Sequence, residues 1–284
     1  MEGNLTTGNR STQRTGLPTA TWRLLNQGVP NSKSTTVQVD DQCGMLEAYA
    51  EVDLKLANMA NNKAAFVASE DAAFLESMSQ TMEDTFFSGN TATNPERFLG
   101  LAPRYSATSP TKTNIGYNVI KEGSHASSDS TSVYLINWSP RTTFLMFPKG
   151  SQGGFKRTFL GQQTLSDANG QYEGLRTHYS WDVGLTVRDW RSNVRVQFDS
   201  SQIASGSPAD LDSGLTKAIN RQRATGGRDV FYMNEATHNA LEHRAASKTN
   251  VHLSFGEAFG GKVMTYRGIP IRVTDAITNA ETAL

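Results

Sequence analysis

The clearest pattern of hydrophobic and polar positions lies between Met45 and Ser88, where neither glycine nor proline occurs. Apolar side chains recur there at near-helical spacing and form one stripe, made of Val67, Phe74, Leu75, Met78, Met82 and Phe86. Glycines flank the region on both sides, as helix breakers do. The pattern predicts a short helix over about 45–59 and a long helix over about 64–87. A coiled-coil seam is disfavoured because the stripe lacks sustained heptads.

Period-two patterns predict strands on both sides of this helical region. Residues 17–42 contain two β-capable runs around a turn cluster at Gly28, Pro30 and Asn31, which predicts a long hairpin. The runs SVYLINW and TTFLMFP predict one pair of strands, and the stretch from Tyr172 to Phe198 predicts a second pair with a bend or bulge at Asp182–Gly184. Together they predict an antiparallel sheet on which the long helix packs.

The last third of the chain has a different pattern. It predicts an amphipathic helix over Leu211–Arg223, a buried strand at DVFYMN and a helix over Glu235–Ala246. Two further strands in KVMTYRGIPIRVTDAI bend at Gly268 and Pro270. These elements predict a compact α/β unit, separated from the rest by the Ser/Gly/Pro-rich stretch DSSQIASGSPADLD.

The first 36 residues are unusually polar, since 21 of them are Gly, Ser, Thr, Asn or Gln. Such a segment cannot bury enough apolar surface to offset the entropy of ordering itself alone. We interpret it as an arm that is ordered by a neighbour, and the alternative is a disordered tail without a role.

Composition and charge narrow the classes of function. The chain of 284 residues carries 27 basic and 27 acidic side chains, so it lacks the basic footprint of a dedicated nucleic-acid binder. Local clusters of arginine occur, and solvated or intersubunit ion-paired arginines are favoured over phosphate contacts. The clusters are Arg188, Arg191 and Arg195, and Arg221, Arg223 and Arg228. A single cysteine, Cys43, excludes an intrachain disulfide framework, and the absence of an apolar leader predicts folding in a cytoplasm.

Motifs for catalysis are weak. Gly256, Gly261 and Lys262 match a phosphate-loop spacing, but Val263 replaces the magnesium-binding hydroxyl and the following residues are strand-like. His238 and His243 diverge around a helix, unlike the histidine pair of a zinc protease. We therefore expect no enzyme, with no catalytic, cofactor-binding or metal-binding residues and no cofactor.

Several ordered stretches resemble the major capsid proteins of tailed double-stranded DNA bacteriophages, which have the Hong Kong 97 type fold. The stretches are LPTATWRLLNQGVPNSKSTTVQVDDQCGMLEAYAEVD, LGQQTL, YEGLRTHYSWDVGLTVRDWR, VFYMNEATHNALE and YRGIPIRVTDAI. They are spread in order over nearly the whole chain. In the best-known members the GIP-like strand precedes the long hairpin of the peripheral domain, whereas here it follows. The order implies either a permuted connectivity or a different assignment of segments.

The resemblance implies an α+β capsid fold with four parts. These are an N-terminal arm over 1–16, an extended loop over 17–42, a peripheral domain over 43–200 and an axial domain over 201–284. The long helix is the spine helix of the peripheral domain. It also implies assembly contacts, for which we select eight residues: Trp22, Lys33, Val37, Val39, Phe74, Met78, Gly268 and Pro270. Some members form covalent Lys–Asn crosslinks, but no crosslinking pair is assigned here.

The function implied is a structural one. The chain is expected to self-assemble into pentameric and hexameric capsomers of an icosahedral virion around double-stranded DNA, within the host bacterial cytoplasm. Expected partners are a scaffolding protein, a portal, a decoration protein and DNA held by weak non-specific contacts, with no membrane. The alternatives are a nucleotide-dependent enzyme that uses residues 256–262, and a monomeric adhesin or tail protein.

Overall fold

The computed structural model contains a mixed set of helices and strands. It describes residues 1–60, 62–123, 129–204, 209–223, 226–246, 253–258 and 261–284. The helices in the described residues are α1 (Leu54–Met59), α2 (Lys63–Ser88), α3 (Leu101–Arg104), α4 (Ser200–Ala204), α5 (Ala209–Arg221) and α6 (Glu235–Ala246). The strands there are β1 (Gly8–Gly16), β2 (Thr35–Asp53), β3 (Val119–Glu122), β4 (Ser130–Trp138), β5 (Thr143–Met146), β6 (Lys156–Asp167), β7 (Gly170–Val187), β8 (Val194–Asp199), β9 (Arg228–Met233), β10 (Leu253–Ala258), β11 (Gly261–Tyr266) and β12 (Ile269–Val273).

Contacts divide the chain into two units. Unit 1 comprises residues 1–9, 41–100 and 145–185, and unit 2 comprises residues 10–40, 101–144 and 186–284. These units divide the chain differently from the four parts that the resemblance implies, and those parts stay a prediction. Within the stretch predicted as a linker, residues 200–204 form the helix α4.

In unit 1 the long helix lies on an antiparallel sheet. Strand β2 pairs with β7 from Cys43 opposite Gly184 to Asp53 opposite Gly174, and β7 pairs in turn with β6. Helix α2 begins where the Asn62 side chain accepts a hydrogen bond from the Ala65 amide, and it ends at Gly89. The predicted long helix is thus confirmed, within one residue at each end.

The helix predicted over 45–59 is wrong for its first nine residues. Residues 45–53 belong to strand β2, and only Leu54–Met59 are helical, capped by the Asp53 side chain. The burial of β2 explains the difference, because Ala50 and Val52 are buried while Glu51 and Asp53 are exposed. Alternation of this kind suits a strand with one covered face, and the absence of glycine and proline does not outweigh it.

The predicted pairing of the later strands is corrected in two places. The strand β7 runs through Asp182–Gly184 without interruption, so no bend separates a second hairpin there. Strand β8 pairs with β3 and β4 instead, and β5 meets β4 at one position, Trp138 opposite Thr143. Strand partners far apart in sequence decide these pairings, and local patterns do not contain them.

The core of unit 2 forms between its strands and the helices α5 and α6. Its buried apolar side chains include Val133, Leu135, Val196, Leu215, Phe231 and Leu241. Helix α5 approaches the sheet closely at Gly214, where an added Cβ would lie 2.6 Å from the Phe198 ring. The helices predicted over 211–223 and 235–246 are confirmed as α5, which begins and ends two residues earlier, and as α6.

The polar N-terminal residues are hydrogen-bonded to their own chain. The Gly3 amide donates to the Phe147 carbonyl at 2.8 Å, and the Cys43 amide donates to the Thr7 carbonyl at 2.9 Å. Residues 8–16 then form β1, which pairs with β2. The expectation that the first 36 residues form an arm ordered by a neighbour is therefore wrong for residues 1–16, since backbone pairing within the chain needs no apolar side chain.

Candidate assembly surfaces

Residues 17–34, here called the extended segment, join β1 to β2 without regular structure, so the hairpin predicted over 17–42 is wrong for these residues. A turn places Asn26 at φ 62°, and the Gln27 amide donates to the Leu24 carbonyl at 3.2 Å. The Ser32 hydroxyl donates to the Thr19 carbonyl at 2.8 Å and so joins the two limbs of the segment. The segment therefore has a defined turn, although it lies outside any packed core.

The extended segment exposes most of its large apolar side chains. Trp22 is 102% exposed and Leu25 is 92% exposed, whereas Leu24, Leu17 and Val29 are exposed by 73%, 72% and 52%. Scattered apolar side chains on a surface are ordinary, but a run of three around Arg23 is not. Burial of one such side chain contributes about 1.5–3 kcal/mol. A partner that covers the run would therefore gain several kilocalories per mole.

Polar contacts hold the base of the extended segment. Arg10 on β1 donates to both carboxylate oxygens of Asp40 on β2, at 2.7 and 2.6 Å. Hydrogen bonding from Arg10 holds the pKa of Asp40 below its ordinary value. Thr15 and Thr35 are hydrogen-bonded at 3.1 Å nearer the segment. These contacts fix where the two limbs leave the sheet.

Helix α2 is packed on the sheet of unit 1 through two of the predicted residues. Met78 is 4% exposed and packs with Ala50 and Tyr179, while the half-buried Phe74 ring stacks on Tyr179 with centroids 6.1 Å apart. Arg157 binds Asp71 of the helix at 2.5 Å. The prediction that Phe74 and Met78 pack on the sheet is confirmed, so these two side chains support the subunit itself.

The remaining predicted residues lie in two other places. Lys33 is exposed in the extended segment, and on β2 Val37 is 51% exposed and Val39 half-buried. Pro270 lies in β12 opposite Thr265, and Gly268 belongs to the β11–β12 turn, where Arg267 and Gly268 both have positive φ, 51° and 81°. This pair suits the type I′ turn that joins twisted strands. The eight residues thus form three separate groups, and their role in assembly stays a prediction.

Sequence reasoning missed Leu24 and Leu25 as candidate contact residues. The signal was present, because they and Trp22 stand together in a segment otherwise rich in Gly, Ser, Thr and Asn. Their exposure, however, depends on where the chain turns, and that was not predicted at Asn26. A hydrophobic run in a polar loop is thus a stronger indication of a contact than the alternating strand that follows it.

The described residues of the phosphate-loop match lie in a β-hairpin. Strands β10 and β11 pair antiparallel, with Gly256 opposite Val263 and Glu257 opposite Lys262, while residues 259 and 260 lie outside the described residues. Lys262 thus stands in a strand, where a phosphate loop requires a helix N-terminus. Among the described residues, no group of three or more His, Cys, Asp or Glu side chains is arranged to hold a metal ion.

Two further observations concern reactivity and membranes. Burial, together with the negative charges of Asp182 and Asp41, raises the pKa of the Cys43 thiol to about 11. The thiol is therefore protonated at neutral pH. No helix in the described part of the chain is long and apolar enough to cross a bilayer.

Comparison with known proteins identifies the class of protein as a viral shell component. The capsid protein in a structure of bacteriophage Epsilon15 is 30% identical, with a TM-score of 0.75 over 100% of this chain and 87% of that one. The capsid of a native GTA particle is 8% identical, with a TM-score of 0.47 over 68% of this chain and 85% of that one. No curated protein sequence matches.

The sequence profile of the family described as major capsid protein GP7 matches residues 1–284. The chain belongs to this family of phage major capsid proteins. It has the α+β capsid fold of the Hong Kong 97 type, and it is a structural component of the virion that self-assembles into a capsid. The predicted resemblance, fold class and structural function are confirmed, and neither the enzyme nor the adhesin alternative gains support.

Proposed function

We propose that this chain builds pentameric and hexameric capsomers of an icosahedral phage head, and that the extended segment covers a neighbouring subunit in the shell. The observation that carries the proposal is the exposure of Trp22 and Leu25 in a segment that is defined in structure but unburied. Self-assembly supplies many identical neighbours, so a segment of this kind gains its apolar burial when subunits meet.

The four parts implied by the resemblance belong to the same proposal. Residues 1–16 act as an N-terminal arm, 17–42 as the extended loop, 43–200 as the peripheral domain and 201–284 as the axial domain around the symmetry axes. Strand β7 pairs with both β2 and β6, and α2 packs on this sheet, which supports a peripheral body of sheet and spine helix.

The proposed partners follow from the same role. A scaffolding protein and a portal direct closure in the host bacterial cytoplasm, a decoration protein binds the shell, and packaged DNA makes weak non-specific contacts. The net charge of zero supports weak contacts with DNA, because a strongly basic lining would hold DNA tightly. The chain works as a building unit without catalysis or a cofactor.

Assembly of purified subunits tests the proposal. Light-scattering mass and electron micrographs are recorded over a range of protein concentrations, with and without a crowding agent. We expect rings, tubes or shells from the unsubstituted protein. Trp22→Ala should raise the protein concentration needed for assembly roughly 10- to 100-fold, the equivalent of about 1.5–3 kcal/mol per contact.

Met59→Ala is the matched control, since Met59 is 81% exposed but lies outside the extended segment. It should assemble like the unsubstituted protein. Subunits that remain strictly monomeric at every concentration, with or without crowding, would contradict self-assembly in this form. Unchanged assembly of the Trp22→Ala variant would contradict the assigned role of the extended segment.

A further inference from the structure

Four arginines surround a hollow on the surface of unit 2. The hollow has a volume of about 380 Å³ and is lined by Thr12, Gln13, Arg14, Arg141, Arg188, Asp189, Trp190 and Arg191. Three chain segments contribute to it: strand β1, the connection from β4 to β5, and the connection from β7 to β8. We call the four guanidinium groups, together with Asp189, the arginine hollow.

Hydrogen bonds hold half of these groups in place. Arg191 donates to both oxygens of Asp189, at 2.9 and 2.7 Å, and Arg188 donates to the Pro140 carbonyl at 3.2 Å. Gln13 donates to the Val187 carbonyl at 2.6 Å and fixes β1 beside the hollow. The positive groups are therefore carried by an ordered frame.

The single carboxylate in the hollow, that of Asp189, is already paired with Arg191. Burial alone would raise the pKa of Asp189, but hydrogen bonds from the side chain and backbone of Arg191 lower it. Arg14, Arg141 and Arg188 are exposed, and the ion pairs found among the described residues involve none of these three. The arginine hollow thus has an excess of three positive charges and room for an oxyanion.

The two units differ strongly in charge. Unit 1 contains 7 basic and 14 acidic residues, a net charge of −7, while unit 2 contains 20 basic and 13 acidic residues, a net charge of +7. The net charge of zero for the whole chain conceals this difference. In a shell made of copies of one chain, an acidic unit of one copy is the most abundant partner for a basic hollow of another.

We propose that the arginine hollow binds carboxylate side chains of unit 1 of a second copy of this chain. This inference rests on the assembly proposed above. Guanidinium groups suit the partner, because they bind carboxylates in a bidentate geometry. Unit 1 offers exposed carboxylates along helix α2, at Glu70, Glu76 and Glu83. An ion-paired contact of this kind sets the register between copies more than it adds affinity.

Zero-length crosslinking tests the contact directly. The double variant Arg14→Lys and Arg141→Lys keeps both charges but provides amines, which a carbodiimide joins to carboxylates in direct contact. Shells are assembled from a mixture of ¹⁵N-labelled and unlabelled subunits, so that mass spectrometry distinguishes links between copies from links within one. We expect labelled-to-unlabelled links from positions 14 and 141 to an acidic residue of 1–9, 41–100 or 145–185.

Arg272→Lys is the matched control, because Arg272 is an exposed arginine of unit 2 outside the hollow. It should yield no such link. If the double variant forms normal shells that carry no links, or only links within one copy, that result would overturn the ion-paired contact and leave the proposed function intact. Failure of the unsubstituted protein to form any shell would instead overturn the proposed function.

Charge reversal separates a protein partner from DNA. Arg14→Glu with Arg141→Glu should raise the subunit concentration needed for DNA-free assembly by about tenfold or more at low salt, and this difference should shrink as salt increases. Far-ultraviolet circular dichroism of the free subunit checks that the variant is folded. If DNA-free shells form normally while DNA retention falls, the ligand is phosphate and the proposal is wrong.

Discussion

The sheet of unit 1 and the extended segment place large apolar side chains in opposite environments. Where helix α2 packs on the sheet, Met78 of the helix is 4% exposed and Tyr179 of β7 is 0% exposed, because the helix and the sheet cover each other there. In the extended segment, Trp22 and Leu25 are almost fully exposed. Hydrophobic residues of similar size therefore serve two levels of structure. One set stabilises the subunit, whereas the other stabilises contacts between subunits.

The largest expected effect on the subunit lies at Arg195. Its side chain is 6% exposed and binds Glu281 at 2.9 Å, the Ser132 hydroxyl at 2.9 Å and the Tyr105 carbonyl at 2.8 Å. Arg195→Ala leaves the partly buried carboxylate of Glu281 without its positive partner and should lower the free energy of unfolding by about 3–5 kcal/mol. Urea denaturation measures the change, and Arg188→Ala, at an exposed site, should stay within about 0.5 kcal/mol. Equal effects of the two substitutions would contradict the assigned difference in burial.

The next largest effect is expected at Met78, in the buried contact between helix α2 and the sheet. Met78→Ala opens a cavity between α2 and the sheet and should cost about 2–4 kcal/mol of unfolding free energy. Denaturant unfolding of the free subunit measures it. Phe74→Ala should cost less than full burial of a phenylalanine implies, because Phe74 is half-buried. A loss below about 1 kcal/mol for Met78→Ala would show that this stripe does not stabilise the subunit.

A substitution in the exposed extended segment should have almost no effect on the stability of the free subunit. Trp22→Ala removes a side chain that contacts little, so its free energy of unfolding should change by no more than about 0.5 kcal/mol. The same denaturation experiment compares it with Met78→Ala. A destabilisation as large as that of Met78→Ala would mean that Trp22 is buried within the free subunit, and the two regions would then not differ.

The smallest effect concerns pH at the base of the extended segment. Since the folded pKa of Asp40 lies below its ordinary value of 3.8, the Arg10–Asp40 pair stabilises the fold at higher pH. This contribution is lost as the pH falls through the lowered pKa. Carboxyl NMR titration should find the Asp40 pKa below 3.8 in the free subunit, and Arg10→Gln should return it towards that value. Identical titrations of the two proteins would contradict the pair.

Much of the fold could be predicted from local sequence, and the failures share one cause. The bounds of α2 and α6 and the turn at Gly268 follow from periodicity and turn chemistry, which are local properties. The local pattern predicts a helix over residues 45–53 because their strand partner, β7, lies about 130 residues later in the chain. The pairing of β8 with β3 and β4 depends on similarly distant contacts.

The candidate contact surfaces were less predictable than the fold. Trp22 and Val37 could be selected because local sequence offered them no cover. Leu24 and Leu25 required the turn at Asn26, and the arginine hollow required three distant segments to meet. The charge difference between the units could not be read from the two halves of the sequence, since each unit is built from several stretches.

The central claim is that the extended segment is exposed in the free subunit and buried in the shell. Hydroxyl-radical footprinting of free subunits and of assembled shells compares Trp22 with Tyr179, which is 0% exposed and serves as an internal control. We predict that oxidation of Trp22 falls roughly fivefold or more on assembly while that of Tyr179 changes little. Equal oxidation of Trp22 in the two states would contradict the account.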